Sequence, residues 1–419
     1  MTKTKLLIKT ILAITCCLGI VLFINNSDTF AITKVWTGDA GYPYVFSDPT
    51  NWSDGTVPVD GDDLIIRTSY SLSDIYADIP GLQVNSVELD CSNGGVGITG
   101  TLTVTDSIFS SGGCSSESSY GASFSANLNL VSNLTVTNVN LSRYAYVHEG
   151  EGIINLNSYT LDLNITNSGQ YEVTSAFVGS GTVNFNGDPS DGDILGMFFF
   201  GMDFSTWTLD GDLNDFIGTI NINTTTMLNA WNDGRINSVA VINIQPNGYL
   251  VFRTEGEGEG EDFINPINIY RSGPSLAILC VIGYEVETCQ IAMPNVTLYA
   301  NTTFFAVRGG EDISAIHNML VDLTGITTNG YCINYETVGI SEDFETIEII
   351  DGSNLFTGGP DETCEEGYGP TDPETPDVTD PDAPNTGELI FNNTSLLMII
   401  SVISVLTIGL AFKLRVARR

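Results

Sequence analysis

The chain has 419 residues and carries 14 Lys and Arg against 51 Asp and Glu, a net charge of −37. That balance argues against nucleic acid as a partner, because phosphate binding needs clustered basic residues. His148 and His317 are its only histidines, which leaves little room for chemistry built on a histidine cluster. The length suffices for one large all-β domain or two to three ordinary ones. The bases are gathered at the ends. Between residues 32 and 383 stand Lys34 and six arginines against 49 acids, a balance of −42.

Residues 1–31 begin MTKTKLLIKT, continue with an apolar run from Ile11 to Ile24, and reach small residues at Thr29 and Ala31. This is the layout of a secretory signal peptide cleaved after Ala31. Cys16 and Cys17 lie within the apolar run and read as packing residues rather than lipid attachment sites.

Residues 32–66 read as a cap. A coiled β-protein exposes an apolar end at its first turn, and Trp36 and Trp52 are large enough to cover it. Pro58 and Gly61 turn the chain into Leu64-Ile65-Ile66. Over 32–358 no stretch carries apolar residues at helical spacing. Period-two alternation dominates instead, in SANLNLVSNLTVTNVNL (125–141), GIINLNSYTLDLNIT (152–166), SGTVNFNG (180–187), GTININTTTMLNA (218–230) and VAVINIQPNGYLVF (239–252). Such alternation, broken by Gly and Asn, marks strands with one buried face. The segments recur every 20–25 residues or so, the size of one turn of a repeat protein. Three of them share a grammar: Gly152-Ile153-Ile154-Asn155, Gly181-Thr182-Val183-Asn184 and Gly218-Thr219-Ile220-Asn221. The expected fold is therefore all-β and a β-solenoid, with glycine at the corners, apolar side chains inside, and Thr and Asn outside.

The stretch 178–252 resembles the autotransporter-associated β-strand repeat, in VGSGTVNFNG, LNDFIGTININTTTMLNA and SVAVINIQPNGYLVF. Phe263-Ile264-Asn265-Pro266-Ile267 is similar to a phrase that often follows it. The opening, from Val35-Trp36-Thr37-Gly38 through Asn51-Trp52-Ser53-Asp54-Gly55 to Leu64-Ile65-Ile66, is similar to the start of many secreted β-helix proteins. The resemblance implies a right-handed parallel β-helix used as a surface or adhesin-like passenger, and it names no ligand. No outer-membrane barrel follows.

Six cysteines remain after signal removal, an even number in an oxidising location: Cys91, Cys114, Cys280, Cys289, Cys332 and Cys364. Neighbour pairing closes the shortest loops, Cys91–Cys114, Cys280–Cys289 and Cys332–Cys364, out of 15 possible connectivities. Zinc is disfavoured because no CxxC occurs. The acidic turns offer oxygen ligands of the kind calcium takes. Asp210, Asp212 and Asp215 in DGDLND are the candidate metal ligands, and Asp60, Asp62 and Asp63 form a second cluster. The alternative is that both are solvated turns. Calcium is the only cofactor the sequence suggests. Glu255 to Glu261, EGEGEGE, reads as a protruding loop.

Residues 359–383 form a Pro- and Asp-rich linker with no core-forming residues, an extended stalk. Residues 384–419 then carry an apolar stretch, Leu396 to Phe412, and a basic end. Ala383-Pro384-Asn385-Thr386-Gly387 ahead of that stretch resembles the LPXTG-type cell-wall sorting signal, with Ala383 where the family usually has Leu. The resemblance implies a sortase cutting between Thr386 and Gly387 and joining the protein to peptidoglycan. The other reading is a permanent transmembrane helix over 396–412, whose roughly 26 Å length nearly spans a bilayer core. The positive flank keeps the tail cytoplasmic under either reading.

These readings converge on an extracellular, wall- or membrane-anchored, adhesin-like protein whose glycan or protein ligand is unspecified. An enzyme is the less favoured alternative. Paired carboxylates such as Asp188, Asp191 and Asp193 carry little signal among so many acids, and an anionic polysaccharide is repelled by the field. A purely structural coat is the third reading. Lys34, the one lysine between the processed ends, argues against lysine-based covalent cross-linking.

Overall fold

Residues 32–42, 44–67, 74–92, 95–112, 122–141, 152–167, 169–187, 206–229, 239–255, 261–281, 288–309, 318–322, 325–338 and 346–350 are described in this computed structural model. They are β-structure with one 3-10 turn, Pro49–Asn51, and no α-helix among them. The expected leader, linker, sorting motif and 396–412 helix lie outside the described residues.

Strands pair with the equivalent strand one circuit away, and always in parallel. One circuit runs through Ile153–Asn155, Thr160–Asn164 and Gln170–Val173. The next runs through Ala176–Val178, Thr182–Asn186 and Thr206–Leu209. Ile153 stands beside Ala176, Leu161 beside Val183, and Tyr171 beside Trp207. This is the coiled, repeat-like parallel arrangement that the alternation predicts. One face runs from Thr33–Trp36 to Val296–Leu298, and a second from Asp74–Ala77 to Ile333–Val338. A separate four-stranded parallel sheet is made by Glu261–Asp262, Thr288–Ala292, Asn318–Asp322 and Thr346–Ile350.

The expected spacing holds in part of the coil, while Thr135–Asp162 and Asn268–Thr297 stand 27 and 29 residues apart. Equivalent asparagines or aspartates lie 22, 22 and 25 residues apart at Asp162–Asn184, Asn221–Asn243 and Asn243–Asn268. Asn184 and Asn221 are 37 apart, so that circuit carries an insertion. The insertion contains Asp188, Asp191 and Asp193, which lie outside the described residues.

Inside the first face two apolar columns run along the coil. Leu134, Leu161, Val183, Ile220, Ile242, Ile267 and Val296 form one; Val136, Leu163, Phe185, Ile222, Ile244, Ile269 and Leu298 form the other. All are buried and belong to one continuous core. Burying each such side chain stabilises the fold by roughly 1.5–3 kcal/mol, and no circuit can bury its interior without the next. The close stacking also dictates corners. A Cβ on Gly218 would collide with the carbonyl oxygen of Gly181, and one on Gly248 with that of Ile222. Glycine is the residue that permits such backbone approach.

An aromatic cluster packs at the first circuit. Trp36 and Trp52 are buried, meet edge to face at 5.1 Å, and enclose Phe46 at 5.8 and 5.2 Å. The Trp52 indole donates to the Phe46 carbonyl at 2.9 Å. Thr33–Trp36 is itself the first strand and pairs with Asp63–Arg67, so the coil starts before the expected Leu64-Ile65-Ile66. Its outer edge is closed by the chain folding back. Thr37 N–H donates to Asn51 O at 2.7 Å, and Ser53 N–H to Val35 O at 2.8 Å. An unpaired strand edge invites aggregation, and this pairing removes it.

Lys34 is buried beneath the same loop, where its ammonium donates to Asp54 at 2.6 Å and to Thr56. The hydrogen bond from Lys34, with those from the Thr56 N–H and hydroxyl, pulls the Asp54 carboxyl down to about 2. A depressed carboxyl contributes stability above its ordinary value of 3.8 that is lost as pH falls through about 2. Thermal melts between pH 5 and pH 2 should therefore show a shallower acid loss for Asp54→Asn than for the native chain. The variant should also start from a lower Tm at pH 7. Parallel pH profiles would show that the pair does not anchor the cap.

Candidate functional site

In-register stacking places each outward side chain of the first face about 4.7–4.9 Å from its equivalent on the next circuit. The column Thr135, Asp162, Asn184, Asn221, Asn243, Asn268, Thr297 results. Its middle is a continuous amide ladder. Asn184 Nδ2 donates to Asp162 Oδ1 at 2.6 Å, Asn221 to Asn184 at 2.7 Å, Asn243 to Asn221 at 2.9 Å, and Asn268 to Asn243 at 2.9 Å. Each amide is half-buried and donates one N–H; Asn184 and Asn243 also accept one hydrogen bond in the ladder, and Asn221 accepts from Asn243 and Gln245. An amide has two N–H groups and two lone pairs, so each Asn keeps capacity for a ligand.

A second column lies two residues further along each strand. Asn186 donates to Asn164 at 3.0 Å and Asn223 to Asn186 at 2.8 Å. Gln245 follows, its N–H bonded to the Ile222 carbonyl, and then Tyr270, whose N–H bonds the Ile244 carbonyl. Tyr299 comes next. The Tyr270 and Tyr299 rings stack at 4.6 Å and 13°. Both are exposed, and partial burial followed by the neighbouring Tyr299 raises the Tyr270 phenol above its ordinary range. A third outward column begins Thr160, Thr182, Thr219. The result is a patterned face of amides, hydroxyls and two aromatic rings, with Asp162 as its one carboxylate among the residues named.

Other acids accept hydrogen bonds in turns and between circuits, and Asp63, Glu88 and Asp90 stand on the first strands of this same face. Asp60 accepts from Gln83 N–H at 2.9 Å, buried Asp62 from Val59 N–H at 2.9 Å, and Asp63 from the Asn85 amide and the Ser86 hydroxyl at 2.8 and 2.7 Å. Asp48 and Asp90 close Asx-type turns onto Thr50 and Ser92, and the side-chain hydrogen bonds from those residues lead in holding both carboxyls below the ordinary range. Asp90 also pairs with Arg67 at 2.6 Å.

The calcium candidates Asp210, Asp212 and Asp215 lie at the end of one strand and in the turn after it. Asp212 accepts from Asn214 N–H at 3.0 Å, and Asp212 and Asp215 lend their backbone carbonyls to Phe177 and Gly179. Asp210 follows the strand Thr206–Leu209 on the second face. Desolvation, and then the Asp210 charge, pushes the Glu172 carboxyl up, although that side chain reaches solvent. No group of three or more His, Cys, Asp or Glu among the described residues is disposed to hold a metal ion, and Asp210, Asp212 and Asp215 are within that set. The physical reason is that Asx-turn geometry and strand pairing already commit these loops.

Cys91 and Cys332 are each held in a disulfide. Cys280 and Cys289 fall in the strands Gly273–Val281 and Thr288–Ala292, while Cys114 and Cys364 lie outside the described residues, so the expected pairing rests on residues beyond them. The sorting residues Ala383, Pro384, Asn385, Thr386 and Gly387 also lie outside, as do residues 256–260 of the EGEGEGE run. No protein-family model, curated protein or solved structure matches the chain.

The ladder was accessible to sequence reading only as recurrent Asn in alternating segments; the insertion that spaces Asn184 from Asn221 hides the period. Its contribution is measurable. Asn221 holds bonds to Asn184, Asn243 and, at 3.4 Å, Gln245. Chemical denaturation of Asn221→Ala should show a loss of about 1–2 kcal/mol. Thr219→Ala on the same strand should stay within about 0.5 kcal/mol. Equal effects would mean the ladder adds nothing beyond ordinary surface polarity.

Proposed function

We propose that this is a secreted, surface-anchored, adhesin-like protein that docks on neutral glycan through its amide and tyrosine face. The observation carrying the proposal is a contrast. A chain of net charge −37 keeps the later part of its first face, from Leu134 to Tyr299, nearly free of charge, with Asp162 its one carboxylate among the residues named, patterned with Asn, Thr and Gln and ending in an exposed Tyr270–Tyr299 stack. Amides exchange hydrogen bonds with sugar hydroxyls in both directions. Aromatic rings bury the apolar surface of a sugar while their polar ends stay wet. Acidic polysaccharides are disfavoured by the surrounding field.

The address is part of the same proposal. Residues 1–31 direct export, 359–383 form a stalk, and 384–419 anchor the chain, through sortase cleavage after Thr386 to peptidoglycan or through a membrane helix over 396–412. The oxidised state of Cys91 and Cys332 supports an extracellular setting. Right-handedness of the coil is proposed on the general preference of parallel strand crossovers for that hand. Catalysis has no part in this reading.

Mass spectrometry of the mature protein from its own cells should find an N-terminus near Ile32 and a C-terminus at Thr386. A chain retaining both ends would sink the export reading, and one retaining only residues 387–419 would make it membrane-held.

Sedimentation with insoluble neutral glucans, mannans and chitin should retain the protein, and acidic glycans should not. Combined Tyr270→Ala and Tyr299→Ala should weaken retention at least about tenfold, some 1.4 kcal/mol, with Tm nearly unchanged. If no neutral glycan is retained, or the double variant binds as the native chain does, the structural-coat reading takes its place.

A further inference from the structure

Among the described residues two buried side-chain polar atoms have no hydrogen-bond partner: the Tyr249 hydroxyl, on the second face, and the Arg271 Nε. They belong to one neighbourhood. Tyr249 opens the strand Tyr249–Glu255, and Arg271 sits in the corner of the next circuit, just before Gly273–Val281. The Arg271 Nη1 donates to the carbonyl of Gly248, the residue preceding Tyr249, at 3.0 Å. The guanidinium is thereby placed over the start of that strand.

The surroundings are closed. Tyr249, Leu250, Val251 and Phe252 are all buried, as are Ser275, Leu276, Ala277 and Ile278 on the neighbouring strand. Burial of consecutive residues means that both sides of the sheet are covered here. Tyr249, Val251 and Ala277 are buried yet stand outside the continuous interior core, on the outward side of the alternation. Ser275 has its own partner in the Thr302 hydroxyl. The Tyr249 side chain is therefore covered on the outward side of the sheet.

Both orphan groups can donate. Arg Nε carries an N–H and cannot accept, while a phenol donates one O–H and can also accept. A buried donor left unmade costs about 1–3 kcal/mol, and more when charged. Arg271 is half-buried, and neither of the two ion pairs found among the described residues involves it. Burial pushes its pKa down and that of Tyr249 up, each charge being felt by the other, but a guanidinium remains protonated. A missing acceptor of negative charge answers all three demands: the free phenol O–H, the free Nε–H and the unbalanced cation.

We propose that Tyr249 and Arg271 form an internal site for a monatomic anion of the chloride class, held by the phenol O–H and the Nε–H. A monatomic anion is the smallest acceptor that both donors can share; a carboxylate-bearing ligand would need access that the buried Nε does not offer. The site is independent of the glycan reading.

The test uses the full mature chain. At constant ionic strength set with gluconate, raising chloride from 5 to 500 mM should lift Tm by about 1–3 °C, as mass action on a native-state ligand requires. Bromide should do the same, and Tyr249→Phe should abolish the dependence. Crystals grown in bromide should show an anomalous peak within hydrogen-bond distance of Tyr249 Oη and Arg271 Nε. A Tm indifferent to chloride, a dependence that survives Tyr249→Phe, or a water molecule in place of the bromide peak would each overturn the proposal. If Tyr249→Phe does not fold, the anomalous peak in the native protein decides alone.

Discussion

Parallel stacking in register is the constraint on which the rest of this molecule depends. It sets each side chain about 4.8 Å from its counterpart on the circuits either side, so whatever one circuit presents, its neighbours must tolerate. On the inside this rewards repetition: Leu161 on Val183 on Ile220 on Ile242 is an apolar column that each circuit extends. On the outside it penalises repetition of charge. Like charges facing each other on adjacent strands are destabilising. Among the described strand registers no Asp or Glu stands opposite another. Asp162 faces Thr135 and Asn184, Asp90 faces Arg67 and Ser111, and Glu88 faces Ile65 and Phe109. Asparagine replaces carboxylate where a polar column must repeat, because an amide donates on one side and accepts on the other.

The same constraint explains where the negative charge goes. Many acids occupy corners, where successive circuits diverge and side chains reach water, and there they are used. Asp60 and Asp78 accept N–H groups from Gln83 and Ser47, 23 and 31 residues away, tying a corner to the next circuit or to the cap. Asp48, Asp54 and Asp212 close local turns. A carboxylate that accepts backbone N–H groups is stabilised in its charged form, so the acidity is built into the turn architecture rather than spread over it. The neutral ladder face and the acidic corners are two outcomes of one packing rule. The glycan reading adds to that rule the Tyr270–Tyr299 stack, which amide pairing does not require and which leaves aromatic surface exposed.

Much of the architecture was legible before any coordinates. Alternation of apolar residues in GIINLNSYTLDLNIT and VAVINIQPNGYLVF specified strands with one inward face, and Ile154, Leu161, Ile242 and Ile244 are indeed buried. Trp36 and Trp52 were readable as a cap because their size suits an exposed coil end. For the Asp210-to-Asp215 turn, residue spacing alone does not say which way carboxylates point. Asp212 is turned back to Asn214 N–H, and Asp210 lies near Glu172 on the neighbouring circuit, a relation between residues 38 positions apart that local reading could not see. The ladder was likewise hidden: it depends on the 37-residue circuit falling back into register.

By itself, then, the sequence determined strand character and the alternation of inward apolar with outward polar positions, since both are local. Register was decided only by the tertiary structure, because the pairing of one strand with another depends on how intervening chain is absorbed. With register came the amide ladder, the Tyr270–Tyr299 stack, the burial of Lys34 under the cap and the meeting of Tyr249 with Arg271. Each joins residues that share no sequence window, and each exists because successive circuits lie within hydrogen-bonding reach of one another.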